Sequence, residues 1–270
     1  MNPRVNDFTI NIATANGTGS QSANLVILHS MYEMGVPVSG KNLFPSNISG
    51  LPTWFIIRAS DAGYQAPGDY THIQILMNKD TWQKDLDKLD PGTIIIYNKD
   101  TKLPVDRDDC IVLGMPMTKM ARKISPKMAK LMANMYYVGA LAHILKIDQE
   151  AIRKAISQQF GGKEKAIEWN MQAISEGIEY AKENWDYESE YLVEEREKDP
   201  NTFLIEGNEA TALGAIYGGI NMLSWYPITP SSSVAESIIG WIPKLREGED
   251  GGATCAVVQA EDELAAAGMV

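Results

Sequence analysis

Short apolar strands alternating with helices predict an α/β protein built on a mostly parallel sheet. Three observations carry that prediction. Phe8 to Ala13 alternates apolar and polar, then runs through Asn16-Gly17-Thr18-Gly19-Ser20 into a stripe of Ala23, Val26, Ile27, Met31 and Met34. That is a strand, a glycine-rich turn and a helix. Further apolar runs follow at Trp54-Phe55-Ile56-Ile57-Arg58, Ile73 to Met77, Thr93 to Tyr97 and Cys110 to Met115. After a charged stretch near residue 190, the strand–helix pattern resumes.

Taken in order, Asn42 to Pro52 is turn-rich, with Pro45, Asn47, Gly50 and Pro52. Thr81 to Leu89 is a short helix ahead of Asp90-Pro91-Gly92. From Ser125 the period becomes helical. Lys127 to Leu145 carries Met128, Leu131, Met135, Val138 and Leu141 or Ala142 on one face, a methionine-rich stripe expected in a core. Asp148 caps the next helix, which stops at Gly161-Gly162. Lys163 to Asn184 is a third helix, with Ala166, Trp169, Ala173 and Ile178 on its inner side. Residues 188–200 are dense in charge and read as a solvated linker. The expected division is therefore residues 1–187, a linker at 188–200, and a second unit at 201–270.

In the second unit Thr202 to Ile205 reads as a strand. Gly207-Asn208-Glu209 opens a helix of small residues, including Ala210, Ala212, Gly214, Ala215, Gly218 and Gly219. Each interior glycine costs a helix roughly 1 kcal/mol, so close packing or a ligand is the expected reason for them. Asn221 to Tyr226 is a strand, Val234 to Leu245 a helix and Ala253 to Gln259 a strand. Ala260-Glu261-Asp262-Glu263 opens a last helix, which stops while still apolar, and truncation at the C-terminus is expected.

Composition narrows the function classes. The net charge of −11 speaks against a general nucleic-acid surface. No apolar run approaches about 18 residues, so no membrane span is expected. The opening residues lack a basic stretch followed by an apolar one, so no secretory signal is expected. Cys110 and Cys255 stand far apart inside apolar runs. They fit buried thiols in a reducing, cytoplasmic setting, and cannot supply the four thiolates of an iron–sulfur cluster. His29, His72 and His143 fall in separate elements with no carboxylate at ligand spacing, so no metal or triad is expected.

Two stretches could carry chemistry. The turn at Gly17, Thr18, Gly19 and Ser20 is either a tight connection with a serine cap or a cradle of N–H groups for an anion. It lacks the Gly-Lys-Ser/Thr of a P-loop, and Ser22 stands where a third glycine would complete a dinucleotide fingerprint. The second stretch is Trp225-Tyr226-Pro227-Ile228-Thr229-Pro230-Ser231-Ser232-Ser233. Its two prolines stiffen an extended Thr229, and its serines could cap the following helix. It is either ordinary strand-to-helix punctuation or a rigid loop holding a small ligand at a sheet end.

Three segments in order, Gly207-Asn208-Glu209-Ala210, Tyr226 to Ser232 and Gln259 to Gly268, strongly resemble the 2-oxoacid:ferredoxin oxidoreductases. They resemble the start of the α subunit, the pyrimidine-binding α/β domain for thiamine diphosphate. The first unit resembles that family's γ domain, a Rossmann-like module with a helical C-terminal part, implicated in coenzyme A binding. Gly17 to Asn24 matches it loosely, and Ser49-Gly50 with Trp54 to Arg58 more loosely still. A γ domain ahead of an α domain is most like the 2-oxoglutarate enzymes.

The resemblance implies that Glu263 is the carboxylate bonded to the pyrimidine ring of thiamine diphosphate, favouring the tautomer that takes the C2 proton. Thr229 would offer a hydroxyl to the oxoacid carboxylate. Tyr226, Pro227 and Ile228 would line the cofactor, and Gly17, Thr18, Gly19 and Ser20 would meet coenzyme A. The alternative for Glu261, Asp262 and Glu263 is a set of acids favoured by a helix's first turn. The resemblance further implies a β subunit carrying Mg²⁺, the diphosphate site and a [4Fe-4S] cluster, ferredoxin as electron acceptor, and an (αβ)₂ assembly. Any arginine gripping a second substrate carboxylate would lie beyond Val270, so residues 1–270 alone are expected to be inactive. Three readings follow: oxidation of 2-oxoglutarate to succinyl-CoA and CO₂, the same chemistry on pyruvate or branched oxoacids, or a non-catalytic module binding coenzyme A or a nucleotide.

Overall fold

The computed structural model describes residues 3–44, 50–161, 163–249 and 251–270. Pro45, Asn47, Ser49 and Gly162, named above, lie outside them. The chain divides into two compact units, residues 1–200 and 201–270.

In the first unit the elements are β1 (Arg4–Val5), β2 (Asp7–Ala15), α1 (Ser20–Glu33), β3 (Val38–Leu43), β4 (Pro52–Ser60), β5 (Ile73–Leu76), α2 (Trp82–Leu86), β6 (Ile94–Asn98), β7 (Ile111–Met115), α3 (Met117–Ile124), α4 (Ala129–Leu145), α5 (Gln149–Gln159), α6 (Glu164–Asn184) and β8 (Tyr191–Leu192). The main sheet has the order β3-β4-β2-β5-β6-β7. Strands β2, β5, β6 and β7 are parallel, whereas β4 is antiparallel to both its neighbours. The parallel expectation holds where helices or long loops connect the strands. It fails at the β3–β4 hairpin, whose short connection allows only an antiparallel return. Strand β3 escaped the sequence reading because Ser39, Gly40, Lys41 and Asn42 offer little apolar signal. Helix α3 was missed as well, being short and lysine-rich.

Ile10, Ile12, Ile73, Ile75, Ile94, Ile95 and Ile96 have no exposed surface. Each contributes about 1.5–3 kcal/mol on burial. Helices α4 and α6 pack with their backbones close together. A Cβ on Gly139 would stand 2.3 Å from the Ile174 carbonyl oxygen, and one on Gly177 would stand 2.7 Å from that of Tyr136. The inner face of α6 is thus Asn170, Ala173, Ile174, Gly177 and Ala181. Ala166, Trp169 and Ile178, expected there, are only half-buried. On α4, Met132 and Met135 are core, while Met128 and Leu131 are exposed. Cys255 is buried, but Cys110 is only half-buried, and its thiol pKa is raised chiefly by desolvation.

The stretch expected to be a solvated linker is only partly so: Glu188 and the side chains beyond Val193 are exposed. Strand β8 pairs with β1, and Tyr191 and Val193 are buried. The Val193 N–H donates to Leu145 O (2.8 Å) and the Arg196 N–H to Met34 O (2.8 Å). The Asn6 side chain donates to Glu194 O (3.0 Å) and accepts from its N–H (3.0 Å). A count of charges is blind to these backbone bonds.

The second unit comprises α7 (Gly207–Tyr217), β9 (Met222–Trp225), α8 (Ser232–Leu245), β10 (Ala256–Gln259) and α9 (Glu263–Gly268). Thr202 to Ile205 do not form the expected strand, and Phe203 is 67% exposed. Helices α7 and α8 pack through Ala212, Ile216, Ile238 and Ile242, with Cys255 beneath them.

Candidate functional site

In the second unit the site grows from one strand pair. Strands β9 and β10 are parallel and in register from Met222↔Ala256 to Trp225↔Gln259. The Ala260 N–H donates to Trp225 O at 2.7 Å, which carries the pairing one residue further. The two chains then part at the same sheet edge. One enters the Tyr226-Pro227-Ile228-Thr229-Pro230 loop and α8, and the other enters Glu261-Asp262 and α9. Carboxyl ends of neighbouring parallel strands are where open α/β sheets hold ligands.

The loop is held by hydrogen bonds from its own serines and from α7. The Thr229–Pro230 peptide is cis. The Ser231 and Ser232 hydroxyls donate to Ile228 O (2.8 and 3.3 Å), and Ser233 donates to Pro230 O (3.0 Å). The serines therefore do not cap α8 as expected: a capping hydroxyl accepts from a helix N–H, and these donate to loop carbonyls. From α7, the Asn208 side chain donates to Pro230 O (3.0 Å) and to Ser233 Oγ (2.7 Å). Asn208 was missed as a site residue. Its signal was present in the Gly207-Asn208-Glu209 segment, but only the fold shows what its amide reaches.

Pro227, Ile228 and Thr229 are exposed, and Tyr226 is half-buried. Glu263 is exposed at the first position of α9, where Asp262 serves as the cap, accepting from the Ala265 N–H at 2.6 Å. The first-turn alternative thus describes Asp262. Among the described residues, neither the Thr229 hydroxyl nor the Glu263 carboxylate has a hydrogen-bond partner. The indole N–H of Trp225 is buried without an acceptor.

In the first unit, Gly17 and Gly19 adopt left-handed φ values of 77° and 78°. They turn the chain from β2 into α1, whose N-cap Gly19 offers no side-chain acceptor. The hydroxyls of the turn are used internally. Thr18 donates to Ala15 O (2.7 Å), and Ser20, which is buried, accepts from Thr14 (2.8 Å). Asn134 donates to Thr18 O at 2.7 Å, fastening the turn to α4. What remains for a ligand is the positive end of α1. Among the described residues, no three His, Cys, Asp or Glu side chains gather where they could hold a metal ion.

The family model for pyruvate ferredoxin/flavodoxin oxidoreductase matches residues 9–180. The chain belongs to the 2-oxoacid:ferredoxin oxidoreductase family. A second family model, for the thiamine diphosphate-binding part of pyruvate flavodoxin/ferredoxin oxidoreductase, matches residues 213–270. The α subunit of 2-oxoacid:ferredoxin oxidoreductase 2 from Aeropyrum pernix is 26% identical over 98% of this chain and 48% of its own length. The chain spans about half the length of the curated relatives it matches. The 2-oxoglutarate:ferredoxin oxidoreductase of Magnetococcus marinus, solved with 2-oxoglutarate, coenzyme A and succinyl-CoA bound, superimposes with a TM-score of 0.82. That match is 28% identical and covers 98% of this chain and 45% of the other. The γ subunit of a keto/oxoacid ferredoxin oxidoreductase from Geobacter sulfurreducens shares the fold over 65% of this chain and 99% of its own, with a TM-score of 0.55 at 16% identity. The α/β fold and the family expected from the sequence both hold. Among the described residues, no helix of this oxidoreductase chain is long and apolar enough to cross a membrane.

Proposed function

We propose that this chain serves a cytoplasmic 2-oxoglutarate:ferredoxin oxidoreductase as its α subunit, with residues 1–187 as a γ domain for coenzyme A and residues 201–270 in the thiamine diphosphate-binding domain. The enzyme would convert 2-oxoglutarate, coenzyme A and two oxidised ferredoxins to succinyl-CoA, CO₂, two reduced ferredoxins and a proton, reversibly. The observation that carries this is the shared edge of β9 and β10, from which both the segment bearing the exposed Thr229 and the segment bearing the exposed Glu263 depart.

The donor set fits a thiamine cofactor. Its pyrimidine needs one carboxylate facing a ring nitrogen and otherwise apolar or backbone contacts, and Glu263, Pro227, Ile228 and the Tyr226 ring supply those. When bound, thiamine diphosphate provides a carbon acid that attacks 2-oxoacids and stores the electrons left by decarboxylation. The part of this chain is to hold and orient. Glu263 would hydrogen-bond the ring nitrogen of the pyrimidine. Thr229 donates to the substrate carboxylate. Asn208 keeps the Thr229 loop in place through Pro230 and Ser233. At the other site, the α1 N-terminus and the Gly17–Ser20 turn would receive an anionic group of coenzyme A. Mg²⁺, the diphosphate contacts and the [4Fe-4S] cluster are assigned to a β subunit, which passes electrons to ferredoxin in an (αβ)₂ assembly.

The test uses the full complex. Glu263→Gln should cut 2-oxoglutarate-dependent reduction of a viologen dye by roughly a hundredfold or more, with subunits still co-purifying. Undiminished turnover would sink the role of Glu263. Assaying the wild-type complex on 2-oxoglutarate, pyruvate and a branched oxoacid decides the substrate separately, because a preference for either of the latter overturns 2-oxoglutarate and leaves the chemistry standing.

A further inference from the structure

The first unit contains a cavity of about 180 Å³ beside the glycine turn. Gly19 and Ser22 line it from α1, Met132 and Met135 from α4, and Trp169 and Asn170 from α6. Met128 and Leu131, also in its lining, are 38% and 40% exposed. Most of this wall is thioether, aromatic or aliphatic, and such a wall holds an apolar body.

Asn170 breaks that pattern. It is 8% exposed and faces the cavity, yet among the described residues its side-chain amide has no hydrogen-bond partner. Its amide atoms open into the cavity, where a polar group in a mostly apolar wall marks the place a ligand's polar head would bond. The Ser22 hydroxyl is likewise unbonded among the described residues. On the same wall stands the N-terminus of α1, a helix of 14 residues with no side-chain cap. An amide N–H₂, a hydroxyl and the positive end of a helix together favour a single negative oxygen-rich head. Among the described residues, no lysine or arginine lines the cavity, which disfavours a doubly charged phosphate. For scale, an apolar cavity of about 150 Å³ holds benzene, so this one suits a molecule of about seven heavy atoms.

We infer that this cavity is a binding site for a small monocarboxylate with a compact branched or aromatic tail, its carboxylate bonded by Asn170 and Ser22 near the α1 N-terminus and its tail among Met132, Met135 and Trp169. The site shares Gly19 and the α1 N-terminus with the place proposed above for coenzyme A, so the two ligands would compete there, and it does not depend on the role proposed for Glu263.

Isovalerate is a suitable probe, titrated calorimetrically into the full complex, with isoamyl alcohol as the tail without the charge. Wild type should bind isovalerate saturably and bind the alcohol at least tenfold more weakly. Asn170→Leu should weaken isovalerate at least tenfold, and Ala166→Leu, which adds bulk to the wall, should abolish binding. Glu263→Gln should leave this binding unchanged, which separates the site from the cofactor loop. Circular dichroism and subunit co-purification check that each variant is folded, and Asn170→Gln, which keeps the amide, should retain more affinity than Asn170→Leu. No saturable binding, equal affinity for the alcohol, or binding indifferent to both Asn170→Leu and Ala166→Leu would overturn the inference.

Discussion

The two units bury their strands to very different degrees. In the first, every residue of β5 is buried, and so is every residue of β6 except Tyr97. In the second, no residue of β9 or β10 is fully buried. Tyr217 is 76% exposed, Val257 41% and Leu264 84%. Parallel strands are ordinarily covered on both faces, and an isolated strand pair is marginal in water. The difference teaches that the loop bearing Thr229 and the turn bearing Glu263 are mounted on a scaffold that relies on cover, whereas the glycine turn rests on a core of its own.

Separating the units is the strongest way to break that contrast. Residues 1–200 should unfold in urea as one cooperative transition, and residues 201–270 should show none and should bind a hydrophobic dye. Slow amide exchange through β9 and β10 in the isolated second fragment would erase the distinction.

A paired glycine substitution sharpens it at smaller scale. Gly139→Ala forces a methyl against the Ile174 carbonyl at the α4–α6 crossing, and should cost about 1–3 kcal/mol in denaturant midpoint analysis. Gly214→Ala meets nothing within 4 Å, and should instead stabilise α7 by up to about 1 kcal/mol. Equal effects at the two sites would mean that packing in the units does not differ as described.

The smallest effect concerns pH, and it belongs to the first unit alone. His72 accepts from the Thr9 N–H at 2.9 Å and lies 3.4 Å from an Arg4 nitrogen, against Tyr70 and Tyr191. Burial, then Arg4 and Arg58, pull its pKa from 6.5 to about 4, with Asp7 and Glu190 opposing. Between those values the unfolded chain binds the proton more readily, so stability is full above about pH 6.5 and is lost as pH falls toward 4. Melting temperatures of wild type and His72→Gln should converge across that window. A constant gap between them would remove His72 from the acid response.

Much of the fold was legible in residue order. The runs at Phe8, Trp54, Ile73, Thr93 and Cys110 became β2, β4, β5, β6 and β7 because each is apolar, short and bounded by turn residues. Strand β3 was not legible, since its place is decided by pairing with β4 and not by its own side chains. The charged stretch after Tyr187 misled for the complementary reason: its anchoring runs through the N–H groups of Val193 and Arg196. In the candidate site, Thr229 and Glu263 stood out by motif; Asn208 lay in a matching segment too, but its contacts were not legible, because an amide's role depends on what lies within about 3 Å of it.

Residue order alone determined the alternation of strands and helices, the family motifs and the separation into a first and second α/β unit, since periodicity and turn chemistry are properties of neighbours along the chain. Tertiary structure decided the antiparallel placement of β4, the common edge from which the Thr229 loop and Glu263 depart, and the cavity that Asn170 faces. Those depend on contacts between residues far apart in sequence, and register, burial and unmet hydrogen bonds exist only once such contacts have formed.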